Sequence, residues 1–90
     1  MENMIAEARF RITGISEYTG RKVNDTVRAI LVKSESFSYG NGTCMVFEHS
    51  NGNEEAFDTR YNKVSKDNFT EFALGVLRDR TQKQLKIETL

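Results

Sequence analysis

TCMVFEHSNGNEEAFDTR, residues 43–60, is the stretch on which the fold turns. Asn51-Gly52 divides it. This dipeptide favours a type I′ turn, whose backbone twist matches that of the strands it joins. A β-hairpin is therefore predicted, with strands over 43–50 and 53–60. Side chains alternate along each strand. Met45, Phe47 and His49 share one face, and Cys44, Val46 and Glu48 share the other. On the return strand, Ala56 and Asp58 lie opposite Glu55, Phe57 and Thr59.

Working back toward the N-terminus, residues 23–35 read as a second strand. Val27, Ala29 and Leu31 are on one face, and Ile30 and Val32 are on the other beside Arg28. Apolar residues on both faces mark a central strand. Before it, Ala6, Ala8, Phe10 and Ile12 alternate with Glu7, Arg9, Arg11 and Thr13, which predicts a strand over 6–13 with one buried face. Gly14 ends it, and the polar stretch from Ser16 to Lys22, with Gly20, reads as a loop. Gly40, Asn41 and Gly42 predict a turn before the hairpin.

Toward the C-terminus, Phe69, Phe72, Ala73, Val76 and Leu77 have the i, i+3, i+4, i+7, i+8 spacing of an amphipathic helix, predicted over 65–80. Ser65 is the expected N-cap, with a staple between Val64 and Phe69. Arg78 and Arg80 suit the negative helix end. Gly75 inside the helix suggests a close approach to the sheet. Residues 81–90 are expected as a tail, either mobile or a short edge strand.

One helix stripe covers one face of a sheet. The fold class is therefore α+β: a four-stranded antiparallel β-meander packed on one face by a single C-terminal helix, all within residues 1–80. Ile30, Val32, Met45 and Phe47 are candidates for an apolar second face, which suggests self-association or a binding surface.

A chain of 90 residues makes one domain with a modest core. The formal net charge is zero, which argues against bulk electrostatic coating of nucleic acid. The charge is uneven, however. Residues 34–58 hold five acids (Glu35, Glu48, Glu54, Glu55, Asp58) and no Lys or Arg, between basic flanks. Either those acids steer a basic partner, or they pair with the flanks on folding. Cys44 is the one cysteine, so no intramolecular disulfide forms. Residues 1–8 lack the pattern of a signal peptide, and no apolar run approaches the roughly 20 residues of a membrane span. A cytoplasmic location with no membrane association is expected.

Enzymatic and metal motifs are not met. Cys44 and the single histidine, His49, are five residues apart and point to opposite strand faces, out of reach as a nucleophile–base pair. Structural zinc needs four Cys or His ligands, and the chain has one of each. Residues 48–58 lack the spacing of a calcium loop. No phosphate-cradling loop follows Gly40–Gly42. Glu54 and Glu55 face opposite ways and do not form an acid–base pair. No catalytic residue, metal or cofactor is expected.

Two constellations remain. Arg9, Arg11, Arg21 and Lys22, with Tyr18, Phe37 and Tyr39 elsewhere, are a basic set of the kind that binds single-stranded nucleic acid with aromatic stacking. The run from Asp58 to Lys63, with Arg60 and Tyr61, is either a polar contact surface or a structural junction in which Arg60 pairs with Asp58. In size, charge and absence of targeting, the chain resembles small accessory proteins of bacteria and their viruses; this compositional likeness implies no residue role. The expected function is a small non-enzymatic binding module that occupies a macromolecular partner or sequesters a ligand. Its partner surface is expected to use Glu48, Glu54, Glu55, Phe37, Tyr39, Arg60 and Tyr61, with a protein as the partner and a homo-oligomer as a further expectation. The alternatives are nucleic-acid binding through Arg9, Arg11, Arg21 and Lys22, and a small enzyme with a site built between subunits.

Overall fold

The computed structural model describes residues 4–34, 42–59 and 62–90. In chain order the elements are β1 (Met4–Ile15), β2 (Lys22–Ser34), β3 (Gly42–His49), β4 (Glu54–Asp58), α1 (Phe69–Arg80) and β5 (Lys86–Thr89). They form one antiparallel sheet of five strands in the order β4-β3-β2-β1-β5. The expected α+β class holds, with one strand more than the four expected. β1 to β4 make the meander. The chain then crosses the sheet as α1 and returns as β5, an edge strand beside β1. Ile87 lies opposite Ile12 in that pairing.

Alternation sets the two faces. Phe10 and Ile12 of β1, Val27, Ala29 and Leu31 of β2, and Met45 and Phe47 of β3 all turn toward α1 and are buried. From the helix, Phe69, Ala73 and Leu77 meet them at the i, i+4, i+8 spacing of one stripe. Met45 and Phe47 are thus core residues and not part of a second apolar face. They lie opposite Leu31 and Ala29 on the helix-covered side. Ile30 and Val32 do occupy the second face, joined there by Cys44 and Val46.

The β3–β4 turn departs from the expected type I′. Asn51 has an ordinary negative φ and only Gly52 is positive, at 92°. Gly52 N–H donates to the His49 carbonyl at 3.0 Å, and His49 N–H donates to the Asn53 carbonyl at 2.8 Å. This is the three-residue loop with a glycine bulge. Asn51 Oδ1 steadies it by accepting from the Asn53 N–H at 3.0 Å. The reason is register. A two-residue turn at Asn51-Gly52 would put Phe57 opposite Val46, on the uncovered face. The extra residue puts Phe57 opposite Met45, where its ring meets Phe47 edge-on at 5.3 Å between centroids.

The helix begins at Phe69, later than the expected 65, with Asn68 as N-cap in place of Ser65. The Asn68 side chain ties back the preceding turn. Its Oδ1 accepts from Ser65 N–H at 2.7 Å, and its Nδ2 donates to the Lys63 carbonyl at 2.8 Å. Such local bonds compete with helix formation. Phe69 is consequently the first helical residue, and the expected staple geometry does not arise; Val64 packs at the edge of the core. Gly75 is exposed, with no atom near the place a Cβ would occupy, so it marks no close approach to the sheet. Among the described residues, no helix is long and apolar enough to cross a membrane.

Candidate functional site

Two features meet at the end of the sheet that carries the β1–β2 turn. The first is a chain of charged groups between the sheet and the end of α1. Period-two alternation puts Asp25, His49 and Glu55 on the helix side of β2, of the turn end of β3, and of β4. His49 Nδ1 lies 2.9 Å from Asp25 Oδ2, and His49 Nε2 lies 2.8 Å from Glu55 Oε1. Glu55 also pairs with Arg80 of α1, whose guanidinium sits 4.8 Å over the Phe57 ring. Ser50 closes the other end, donating from Oγ at 2.6 Å and from N–H at 3.2 Å to Asp25 Oδ1.

Both ring nitrogens of His49 face carboxylates, the arrangement suited to an imidazolium that donates from each. Partial burial works against that charge, but the hydrogen bonds and charges of Asp25 and Glu55 outweigh it and hold His49 above its ordinary pKa. Burial likewise pushes Asp25 up, and the bonds from Ser50 and His49 prevail to bring it below the usual range. Glu55 is lowered by its His49 bond and by Arg80, against a smaller effect of burial. This network holds charge and ties β2, β3, β4 and α1 together. Ser50 Oγ bonds the carboxylate and not the imidazole, and Cys44 lies on the other face of the sheet.

A pH dependence follows. His49 has a raised folded pKa, so its contribution is complete below its unfolded value near 6.5 and is lost as pH rises through the folded value. Asp25 and Glu55 are lowered, so theirs is complete above their unfolded values and is lost as pH falls through the folded ones. The network is strongest between the two windows. Urea midpoints should therefore fall from pH 6 toward pH 8 in the wild type and stay flat over that interval in His49→Gln. Because His49 is the only histidine, the comparison is clean. Parallel curves for the two proteins would show that the network carries no proton-linked stability.

The second feature is an open groove of about 650 Å³ that shares Asp25 and Arg80 with this network. Ile12, Val23 and Leu85 also line it, with Glu17, Tyr18 and Lys83 among its polar residues. Gly20, at φ 68°, lets the β1–β2 turn close, with its N–H donating to the Ser16 carbonyl at 2.8 Å. Gln82, just after α1, fastens to that turn. Its Oε1 accepts from Glu17 N–H at 2.9 Å, and its Nε2 donates to Ser16 Oγ at 3.3 Å. Gln84 Nε2 adds a bond to the Ile15 carbonyl at 3.4 Å. The groove is thus framed by two connections held to each other. Tyr18, one of its lining residues, is 81% exposed.

The acids expected to form one outward surface are divided. Glu55 faces the helix side within the His49 network. Glu48 is on the uncovered face, and its Oε1 pairs with Arg28 Nη1 at 3.2 Å, while Arg28 also holds Glu7. These two acids pair internally, as the second reading of the acidic segment anticipated. Glu54 is exposed, opposite Glu48. Phe37, Tyr39, Arg60 and Tyr61 lie outside the described residues, as do the expected Arg60–Asp58 pair and the first two residues of the expected Gly40–Gly42 turn.

Of the basic set, Arg9 and Arg11 point to the uncovered face from β1, Lys22 opens β2 opposite Ile15, and Arg21 precedes it. Phe10, Phe47 and Phe57 are all turned toward the helix. Among the described residues, the uncovered face of the sheet carries no aromatic ring on which a base would stack. No group of three or more His, Cys, Asp or Glu among the described residues is placed to hold a metal ion.

Sequence reasoning missed the network and the groove. His49 and Glu55 share a face only through the three-residue loop, since the expected two-residue turn would have put Glu55 opposite Glu48. Asp25 required the β2–β3 register, Arg80 required the helix docking, and the groove required the return of β5. In comparisons with protein families, curated proteins and solved structures, the chain matches none.

Proposed function

We propose that this protein is a non-enzymatic binding module that occupies a protein partner through the end of the sheet holding the groove. The observation that supports this reading is Tyr18, 81% exposed at the rim of a groove that includes Ile12, Val23 and Leu85. A tyrosine beside a recess whose frame is already held by hydrogen bonds is a favourable anchor. Tyrosine brings much contact area with few torsions, and a preformed recess costs little ordering. Glu17 and Lys83 at the rim supply charges of both signs for orientation.

The test is affinity capture from a lysate of the native host, with and without nuclease, using wild type, Tyr18→Ala and Lys83→Glu. Both side chains are exposed, so melting temperatures should match the wild type. A stoichiometric protein partner should be captured by the wild type and lost at least tenfold with Tyr18→Ala. Capture equal in all three proteins would overturn the assignment to this surface. Capture that disappears with nuclease would move the function to nucleic acid.

A further inference from the structure

The register of the four meander strands places the side chains of the uncovered face in rows across the sheet. One row runs Asp58, Cys44, Val32, Met4 and the next runs Ala56, Val46, Ile30, Glu7. These rows are mainly apolar. Ile30 is buried, Val32, Cys44 and Val46 are half-buried, and Met4 and Ala56 are exposed. The third row runs Glu54, Glu48, Arg28, Arg9. It carries two acids on one side of the sheet and two bases on the other, so it reads as its own complement when reversed.

We propose that a second copy of this chain covers this face, related by a two-fold axis that runs parallel to the strands, over the line between β2 and β3. Such a rotation lays sheet on sheet and reverses the order across the strands while keeping the strand direction. Arg9 of one copy then faces Glu54 of the other, and Arg28 faces Glu48. The apolar rows meet each other, with Ile30 over Val46 and Val32 over Cys44. Every contact occurs twice, as an isologous interface requires. Arg9 and Glu54 are the exposed ends of the charged row, so they set the register of the pair. β1 and β2 span 12 and 13 residues. With β3 and β4 at 8 and 5 residues, and at about 3.3 Å per residue and about 4.8 Å between strands, the meander face offers up to roughly 600 Å², below the roughly 800 Å² of one side of a standard interface, so the association is of the weak kind. The same rotation leaves the two β1–β2 turns at one end of the dimer, with the grooves on its two outer sides. The dimer itself does not depend on what the groove binds.

The experiment is mass by sedimentation equilibrium over a concentration series at low and high salt. Wild type should reach twice the 10.3 kDa chain mass. Glu54→Arg alone and Arg9→Glu alone should each weaken the dimer at least tenfold, because each sets like charges against each other at two symmetric contacts. Mixed in equal amounts, the two variants should form a heterodimer. There the two substituted side chains meet as an opposite-charge pair at one contact, and the native Arg9 faces the native Glu54 at the other. Far-UV circular dichroism checks that each variant is folded. Monomeric wild type at all concentrations overturns the proposal. So does a dimer that neither variant weakens, or a mixture that does not pair; these outcomes leave the groove reading untouched, since capture by Tyr18 is measured separately.

Discussion

Replacement of Phe47 by alanine is expected to cost about 3–5 kcal/mol, the usual range for removing a fully buried phenylalanine. Phe47 has no exposed surface, lies opposite Ala29 and Glu55 in the sheet, and meets Phe57 edge-on at 5.3 Å. Its neighbours are small on one side and charged on the other, so they have little with which to refill the space. A domain of this size has only about 5–15 kcal/mol in total, and the melting temperature should fall by on the order of 15–30 °C. The loss of ring packing should also loosen Phe57 and, through it, Arg80 over its face. Val46→Ala, one residue away on the half-buried opposite face, is the control and should cost about 1 kcal/mol. Similar midpoints for the two variants in urea would mean that Phe47 is not a core residue and that the register of β3 is wrong.

Gly14→Ala is the second large effect. Gly14 ends the regular part of β1 with φ at 136°, a backbone region nearly closed to other residues. A Cβ there would lie 2.9 Å from Leu85 Cδ2 and 3.4 Å from Leu85 Cα. The side chain of Leu85 can swing aside, but its backbone and the φ of residue 14 cannot both be kept. The backbone term alone is about 1–3 kcal/mol. The displaced Leu85 is also a groove residue and the lead into β5, so the damage should be local as well as global. Amide exchange should speed up in β5 more than in β3. Gly20→Ala is the comparison. Its φ is also positive, at 68°, but no atom lies within 4 Å of its Cβ position. It should cost less, because the left-handed region costs about 1–2 kcal/mol and nothing collides. A Gly14→Ala protein as stable as wild type, with unchanged exchange in β5, would show that the β1–β5 contact is not tight.

Alternation was enough to read which residues of β1 and β2 face a core, because a strand has period two and one buried face selects its phase. The helical stripe from Phe69 to Leu77 was legible for the same reason at period 3.6. What alternation does not contain is the relation between strands. Asn51-Gly52 announced a turn but not its length, and one residue more or less decides whether Phe57 joins Phe47 or leaves the core. Ser65 and Asn68 are both residues favoured at a helix start, and the choice fell to the one whose side chain bonds back to Lys63 and Ser65, with no bond to the first turn of the helix. The role of Leu85 and Ile87 waited on whether β5 found a free edge at β1.

The site divides along the same line. Its charged residues were each visible in the chain, but only their separation in sequence was known. Asp25 and His49 come together across 24 positions and Gln82 and Ser16 across 66. Local sequence determined the elements, their faces and the hairpin, because those depend on neighbours a few bonds away. Tertiary structure alone decided the strand order, the partners of His49, the groove and the self-complementary row of charges. Each of these depends on register between distant segments, which burial of the whole apolar face selects at once.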